Sequence, residues 1–162
     1  MATVDEIVEF VGEVLEKRFV EIDPNLVERG FFIPFDGFGL RIDSAEQTDD
    51  YLKSFAAEMD IPAEVTVKLV LFICREIEPT PEFFEYAALE LPNLTDYMPW
   101  IFETDDSENL SLASYCVLPG DTLNEYLLLL TIESLIQDGL RVGQAVVEEF
   151  DAVWQFEMSD DE

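Results

Sequence analysis

Histidine is absent from this chain of 162 residues, and basic residues are scarce, with 8 Lys and Arg against 37 Asp and Glu. Without imidazole the chain lacks the usual general base near neutral pH, the commonest metal ligand and every triad built on histidine. Glycine patterns of dinucleotide-binding and P-loop proteins are also missing, and Cys74 and Cys116 form no CxxC pair. We therefore predict a non-enzymatic protein with no cofactor, no metal site and no catalytic residue.

The shortage of basic residues leaves a formal net charge of −29. From residue 76 to the end, 21 carboxylates accompany a single basic residue, Arg141. Such a field repels nucleic-acid phosphates and anionic lipid headgroups, so binding to nucleic acid or membrane is not expected. The charge is explained by solubility, by adaptation to high salt or by mimicry of DNA, and the 13 Phe argue against the second of these.

Long apolar runs are missing as well. The densest, Leu127 to Ile132, stops at Glu133, far short of the ~18 residues that cross a bilayer. The start, MATVDEIVEF, lacks the basic and continuous apolar regions of a secretory signal. Both cysteines lie in apolar stretches, where each is typical of a small buried side chain. We expect a cytoplasmic protein with reduced thiols and no disulfide.

What is present is 49% hydrophobic residues, which is typical of a folded core. Periodicity and turn residues predict a helix, two strands, a helix, a strand, a helix, two strands and a final helix. This order predicts an α+β fold: an antiparallel sheet of about five strands packed with N-terminal, central and long C-terminal helices. We predict one domain over residues 1–157 and an acidic disordered tail over residues 158–162.

Helix boundaries come from capping patterns. Thr3 with Glu6, and Thr122 with Glu125, have the spacing of a capping box, and each precedes an apolar periodicity. The second helix along the chain is predicted from Ser44 to Met59, with apolar side chains at helical spacing: Tyr51, Leu52, Phe55, Ala56 and Met59. The longest helix is predicted to run to about Phe150, either unbroken or divided near Asp138-Gly139. Its predicted apolar side is Leu128, Ile132, Leu135, Ile136, Leu140, Val146, Val147 and Phe150.

Four phenylalanines crowd a predicted hairpin whose turn is Asp36-Gly37. Strand alternation places Phe31 and Phe32 on opposite faces, so both are buried only if a helix covers the second face. Otherwise exposed rings form a surface for a partner or for self-association. The predicted partner-binding residues are Phe31, Phe32, Phe35 and Phe38.

Paired carboxylates offer acid and nucleophile roles of the glycosidase kind. With 37 acids, however, pairs such as Asp49-Asp50, Asp105-Asp106 and Glu148-Glu149 are more typical of solvated turns and helix faces. The loop Asp105 to Glu108 lacks the ligand spacing of an EF-hand. A small-molecule enzyme with buried carboxylates therefore remains an alternative to a binding protein, as does an acidic DNA-mimic inhibitor.

The segment from Trp100 to Phe150 combines a strand, an acidic loop, a second strand ending at Val117-Leu118-Pro119 and a long leucine-rich helix. In this order, and in the helices that precede it, the chain resembles YbjN-like proteins and the related type III secretion chaperone fold. The resemblance implies a small acidic α+β domain, often a homodimer, that binds a segment of another protein or has a regulatory role. The resemblance supplies no catalytic residue. Similarity of fold alone is weak support for a shared function. We predict a chaperone-like or regulatory protein that holds a partner segment, possibly a basic one.

Overall fold

A computed structural model describes residues 3–19, 30–60, 64–95, 99–103 and 108–156 of the chain. The helices are α1 (Val4–Arg18), α2 (Asp50–Glu58), α3 (Pro81–Leu89), α4 (Leu91–Leu94) and α5 (Glu125–Phe150). The strands are β1 (Gly30–Pro34), β2 (Gly39–Glu46), β3 (Val65–Ile77), β4 (Pro99–Glu103), β5 (Leu110–Pro119) and β6 (Val153–Trp154). The predicted α+β class and the predicted order of elements are confirmed, with α4 and β6 added.

Five strands form the sheet in the order β1-β2-β3-β5-β4, and β6 pairs with β3 outside this path. Neighbouring strands are antiparallel: Gln47 N–H donates to the Glu64 carbonyl at 2.8 Å, and Gly120 N–H donates to the Val65 carbonyl at 2.7 Å. Strands β4 and β5 form the predicted antiparallel pair, with Ile101 opposite Leu112. The residues that join them, 104–107, lie outside the described part of the chain.

Short strand β6 follows α5 and adds a few residues to the sheet beside β3. Trp154 lies opposite Cys74, and this pairing is antiparallel. The Gln155 N–H donates to the Ile73 carbonyl at 3.0 Å, and the Phe156 N–H donates to the Gly37 carbonyl at 3.1 Å. Gly37 has a φ of 90°, the left-handed region that the predicted Asp36-Gly37 turn requires. The sequence did not predict β6, because a strand of two residues is too short to show an alternating pattern.

Contacts group the chain into two compact units, one of residues 1–33, 41–69 and 116–130 and the other of residues 34–40, 70–115 and 131–162. A single domain over residues 1–157 stays a prediction, and the predicted tail at 158–162 lies outside the described residues. Among the described residues, no helix has the length and apolar character that spanning a bilayer requires.

Helix α1 begins as predicted at a capping box. The Thr3 hydroxyl accepts from the Glu6 N–H at 3.2 Å, and the Glu6 carboxylate accepts from the Thr3 N–H at 2.8 Å. Two otherwise free backbone donors are thereby satisfied. The apolar face predicted from three- and four-residue spacing is buried at Val4, Ile7, Val11, Val14 and Leu15.

Strand β3 supplies the longest run of core residues. Val65, Val67, Leu69, Leu71 and Ile73 are buried at 3% exposure or less. The alternate positions are half-buried at Thr66, Val70 and Phe72, exposed at Lys68 and buried at Cys74. One face of β3 is therefore fully covered and the other only partly.

Helix α2 is shorter than predicted. Its N-cap is Asp49, whose carboxylate accepts from the Leu52 N–H at 2.9 Å. Residues from Ser44 to Glu46 belong to β2 instead, where Ser44 is buried at 4% exposure. The predicted start at Ser44 was wrong because β-sheet pairing extends β2 into residues that also suit a helix start. The helix ends at Glu58 with Met59 as its C-cap, close to the predicted end at Met59.

Helix α5 is continuous, so the unbroken alternative was correct. Asp138 is fully buried and paired with the Arg141 guanidinium at 3.2 Å, and a side chain added at Gly139 would come within 2.5 Å of Leu71. These residues serve tertiary packing and not a turn. The predicted Thr122 capping box was wrong, because the Asn124 amide oxygen accepts from the Leu127 N–H at 2.8 Å. Leu140, predicted on the apolar side, is 43% exposed.

Candidate functional site

A cleft forms where α3 lies beside the C-terminal end of α5. Thr80 starts α3 by accepting from the Phe83 N–H at 3.2 Å, and Pro81 occupies a first-turn position, where its missing N–H is not needed. Along α3, positions three and four apart share a face. That spacing places one set of side chains in the cleft: Glu82, Glu85, Tyr86, Leu89 and Glu90.

The end of α5 supplies the other wall through Glu149 and Phe150. The Phe150 ring contacts Phe83 edge-on, with centroids 5.3 Å apart at 84°, and Tyr86 with centroids 5.1 Å apart at 65°. Phe83 is fully buried, so it anchors this aromatic cluster to the core. Edge-to-face pairs of this kind stabilise by ~0.5–1.5 kcal/mol beyond their buried area. The aromatic floor of the cleft is therefore held by core packing.

The cleft encloses about 560 Å³ and is open to solvent. Four of its seven lining residues are glutamates, and none of the seven is basic. Leu89 is 62% exposed at its edge. The lining thus combines an apolar, partly aromatic surface with a rim of carboxylates.

Backbone dipoles add to the negative charge of this cleft. The cleft runs along α3 from Glu82 in its first turn to Glu90 at its C-cap, α5 brings its C-terminal end to it, and neither helix has a basic residue in its last turn. The C-terminus of a helix carries about half a negative elementary charge, which is stabilised by nearby cations. Glu90 and Glu149 instead place carboxylates there. Burial raises the pKa of Tyr86, and the charges of Glu149 and Glu90 raise it further.

A cationic group is the ligand that this arrangement suits best. Ammonium and guanidinium groups pair with carboxylates, and they are attracted to the faces of aromatic rings within ~6 Å. Their aliphatic stems also pack on apolar surface. Metal chelation is not evident, because no group of three or more cysteine or carboxylate side chains in the described residues is arranged to hold a metal ion.

Other titratable groups with shifted pKa values are not among the residues that line the cleft. Burial raises the pKa of Asp43 on β2, although the Arg41 guanidinium at 2.7 Å opposes that shift. Burial also raises the pKa of Cys74 to about 12, and it raises the pKa of Cys116. Both thiols are free. Cys74 is fully buried as predicted, whereas Cys116 is half-buried.

The four phenylalanines predicted to bind a partner occupy different environments. Phe38 is 3% exposed, stacks with Phe35 at 5.0 Å between centroids and lies 6.2 Å from the Trp154 ring. Phe31, Phe32 and Phe35 are half-buried. Gly12 of α1 packs against Phe31, with 3.0 Å between the phenyl ring and the position of an added Cβ. Partner binding by this cluster stays a prediction, and core packing already accounts for Phe38.

Neither the cleft nor its residues were singled out from the sequence. Glu148-Glu149 was interpreted as typical of a solvated turn or helix face, and the segment from Phe83 to Leu91 was predicted only as a helix. Only Phe83 in α3 is buried, whereas Phe84 and Leu89 are 48% and 62% exposed. One sequence signal could have pointed to this region. The last turns of α3 and α5 contain no basic residue, so neither helix has the cation that usually stabilises the negative C-terminal end of the helix dipole. No local sequence pattern predicted that α3 packs beside the end of α5.

No protein-family model, no curated protein and no solved structure matches the chain. The resemblance to YbjN-like proteins and to the secretion chaperone fold therefore stays a prediction. Functional inference rests on the cleft and the other surfaces of this chain.

Proposed function

We propose that this protein is a non-enzymatic binding protein that holds a basic segment of a partner protein in the α3–α5 cleft. The observation that carries the proposal is a cleft lined by four glutamates and by aromatic rings, at which α5 ends and along which α3 runs, with no basic residue in the last turn of either helix. A chaperone-like or regulatory role, as the predicted family resemblance implies, is consistent with such binding. The alternative of an enzyme with buried carboxylates gains no support from the cleft, because its four glutamates are exposed to solvent.

Electrostatics supports a cationic occupant. Placing Glu90 and Glu149 near the negative ends of α3 and α5 is unfavourable for the isolated protein, and a cation near each end would contribute ~0.3–1 kcal/mol at low ionic strength. The net charge of −29 adds a long-range attraction that speeds encounter with a basic partner. These carboxylates therefore lower the folding stability of the free protein, and a bound basic segment would offset that loss.

Aromatic contacts make a peptide a better occupant than a small inorganic ion. Tyr86 and Phe150 offer ring surface for the alkyl stems and charged heads of Lys or Arg, while Leu89 extends apolar surface at the edge. A cleft of about 560 Å³ accommodates a few side chains of a segment and not a folded domain. Specificity then comes from the spacing of basic residues in the partner.

The test is a titration with a flexible peptide of Lys and Arg separated by Gly and Ser, measured by calorimetry at low and at raised salt. We expect binding that weakens as salt rises, since exposed charges are screened over ~10 Å at 0.1 M. The double variant Glu85→Gln, Glu149→Gln should weaken binding by at least tenfold. A drop of that size equals ~1.4 kcal/mol.

The matched control removes the same two charges from α1 as Glu9→Gln, Glu13→Gln. This variant should change the affinity by less than threefold, because its carboxylates lie on another helix. Equal losses in the two double variants would show that the peptide responds to net charge and not to the cleft, and the proposal would then be abandoned. Salt-independent binding would contradict its electrostatic basis.

A homodimer, implied by the predicted family resemblance, remains part of this proposal. Its measurement is the molar mass in solution by light scattering at several protein concentrations. A monomer at every concentration would remove the dimer and leave peptide binding by the cleft unaffected.

A further inference from the structure

Helix α2 exposes the side that its sequence marks as apolar. Tyr51, Leu52, Phe55 and Met59, here called the α2 face, are 77%, 46%, 51% and 58% exposed. Ala56 is the buried residue of this helix. Side chains three and four apart are neighbours on one side of a helix, which places Phe55 next to Tyr51, Leu52 and Met59 on that surface. A continuous apolar surface therefore stands open to solvent, where isolated exposed apolar residues would need no explanation.

The charged residues in and next to α2 are mainly acidic. Residues 49–60 contain Asp49, Asp50, Glu58 and Asp60 against one Lys53, so four negative charges and one positive charge give −3. An apolar centre with a polar, charged rim is the usual anatomy of a binding surface. Anionic lipid headgroups are repelled by this rim, which excludes a membrane surface as the occupant.

A second copy of the chain fits this surface poorly. Two copies of this surface would bring −3 against −3, and like charges placed opposite each other across an interface oppose association. A partner with basic residues beside an apolar face gains from both the apolar contact and the charge complementarity.

We propose that the α2 face docks an amphipathic helix of another protein, with apolar anchors at three- and four-residue spacing and Lys or Arg along the flank that meets the acidic side of α2. The two helices pack side by side, with anchors of the partner against Phe55 and Tyr51 and its cations beside Asp50 and Glu58. This second binding surface shares no residue with the α3–α5 cleft and does not depend on the function proposed for it.

The probe is an 18-residue peptide of Leu and Lys ordered as an amphipathic helix, measured by fluorescence anisotropy. One comparison peptide has the same composition in an order that scatters the leucines, and another replaces Lys with Glu. We expect the ordered Leu–Lys peptide to bind wild type at least tenfold more tightly than either comparison. The variant Phe55→Ser should weaken that binding by at least tenfold, since large aromatic residues dominate such interfaces.

Leu140→Ser is the matched control, because Leu140 is a 43% exposed apolar side chain on α5. It should change the affinity less than twofold, and Glu85→Gln, Glu149→Gln in the cleft should do the same. Phe55 is half exposed, so its substitution leaves the fold intact, which circular dichroism verifies. Absence of binding to wild type, equal binding of the scattered peptide, or equal losses in Phe55→Ser and Leu140→Ser would overturn the proposal. Dissociation of a wild-type dimer by Phe55→Ser would assign the surface to a second copy and overturn it as well.

Discussion

Replacing Gly143 by alanine tests the packing of α5 against the sheet. A Cβ added there would collide with the six-membered ring of Trp154 on β6, and it would approach the Ile73 Cγ2 atom to 3.2 Å. Ile73 is fully buried in the centre of β3 and cannot move away, and the indole of Trp154 is rigid and half-buried. Something must shift, so the substitution strains the core.

Two effects of opposite sign set the magnitude. Overpacking a close-packed site costs ~1–3 kcal/mol. Alanine in place of glycine inside a helix returns ~1 kcal/mol. Because both the ring and the strand oppose the new methyl group, we expect a net loss of ~1–2 kcal/mol in the free energy of unfolding, or a decrease of ~2–8 °C in Tm for a chain of this size. An exposed helix glycine would give the opposite sign.

The assay is urea unfolding followed by far-ultraviolet circular dichroism. Urea is preferred to guanidinium, because guanidinium is also a salt and would screen the charges of this acidic chain. The same substitution is measured in a Trp154→Ala background, where the collision with the ring is gone. There Gly143→Ala should be neutral or stabilising by up to ~1 kcal/mol, which makes the pair strongly coupled. A stability gain of ~1 kcal/mol in the wild-type background would refute the packing described for Gly143.

Two further predictions concern the start of α5 and the pH dependence of stability. Asn124→Ala should cost ~1 kcal/mol in urea unfolding, because it removes the acceptor for the Leu127 N–H, whereas Thr122→Ala should change stability by less than ~0.5 kcal/mol. The reverse ranking would restore Thr122 as the cap. Since burial raises the pKa of Asp43, its folded state holds a proton more tightly than the unfolded chain. Wild type should therefore gain stability relative to Asp43→Asn as pH falls from 7 through the ordinary range of an aspartate, and a gain on raising the pH would contradict this sign.

Local patterns predicted the elements whose residues satisfy one another nearby. Thr3 and Glu6 cap α1 within a single turn, and the spacing from Val4 to Leu15 marks the buried face of that helix. Asp36-Gly37 encodes its turn because glycine tolerates a φ of 90°. In each case the energetic partners lie within a few residues, so the pattern carries the information by itself.

Patterns failed where a distant partner decides. Ser44 joins β2 because the sheet continues there, and Asp138-Gly139 stays helical because its environment lies in the core. The spacing of Tyr51, Phe55 and Met59 predicted an amphipathic helix correctly, but only tertiary packing decides whether such a face is covered. An apolar periodicity is the same for a buried helix and for an exposed one that awaits a partner.

The sequence by itself determined the α+β class, the positions of most helices and strands, and an acidic, histidine-free surface. These depend on residue type, short-range spacing and the sum of charges, all of which are independent of the final arrangement. Only the tertiary structure decided that α3 and the end of α5 form an open cleft lined by glutamates and aromatic rings and that the apolar side of α2 stays exposed. Both features depend on residues far apart in sequence, and their proximity is set by which surfaces remain after the core has been packed.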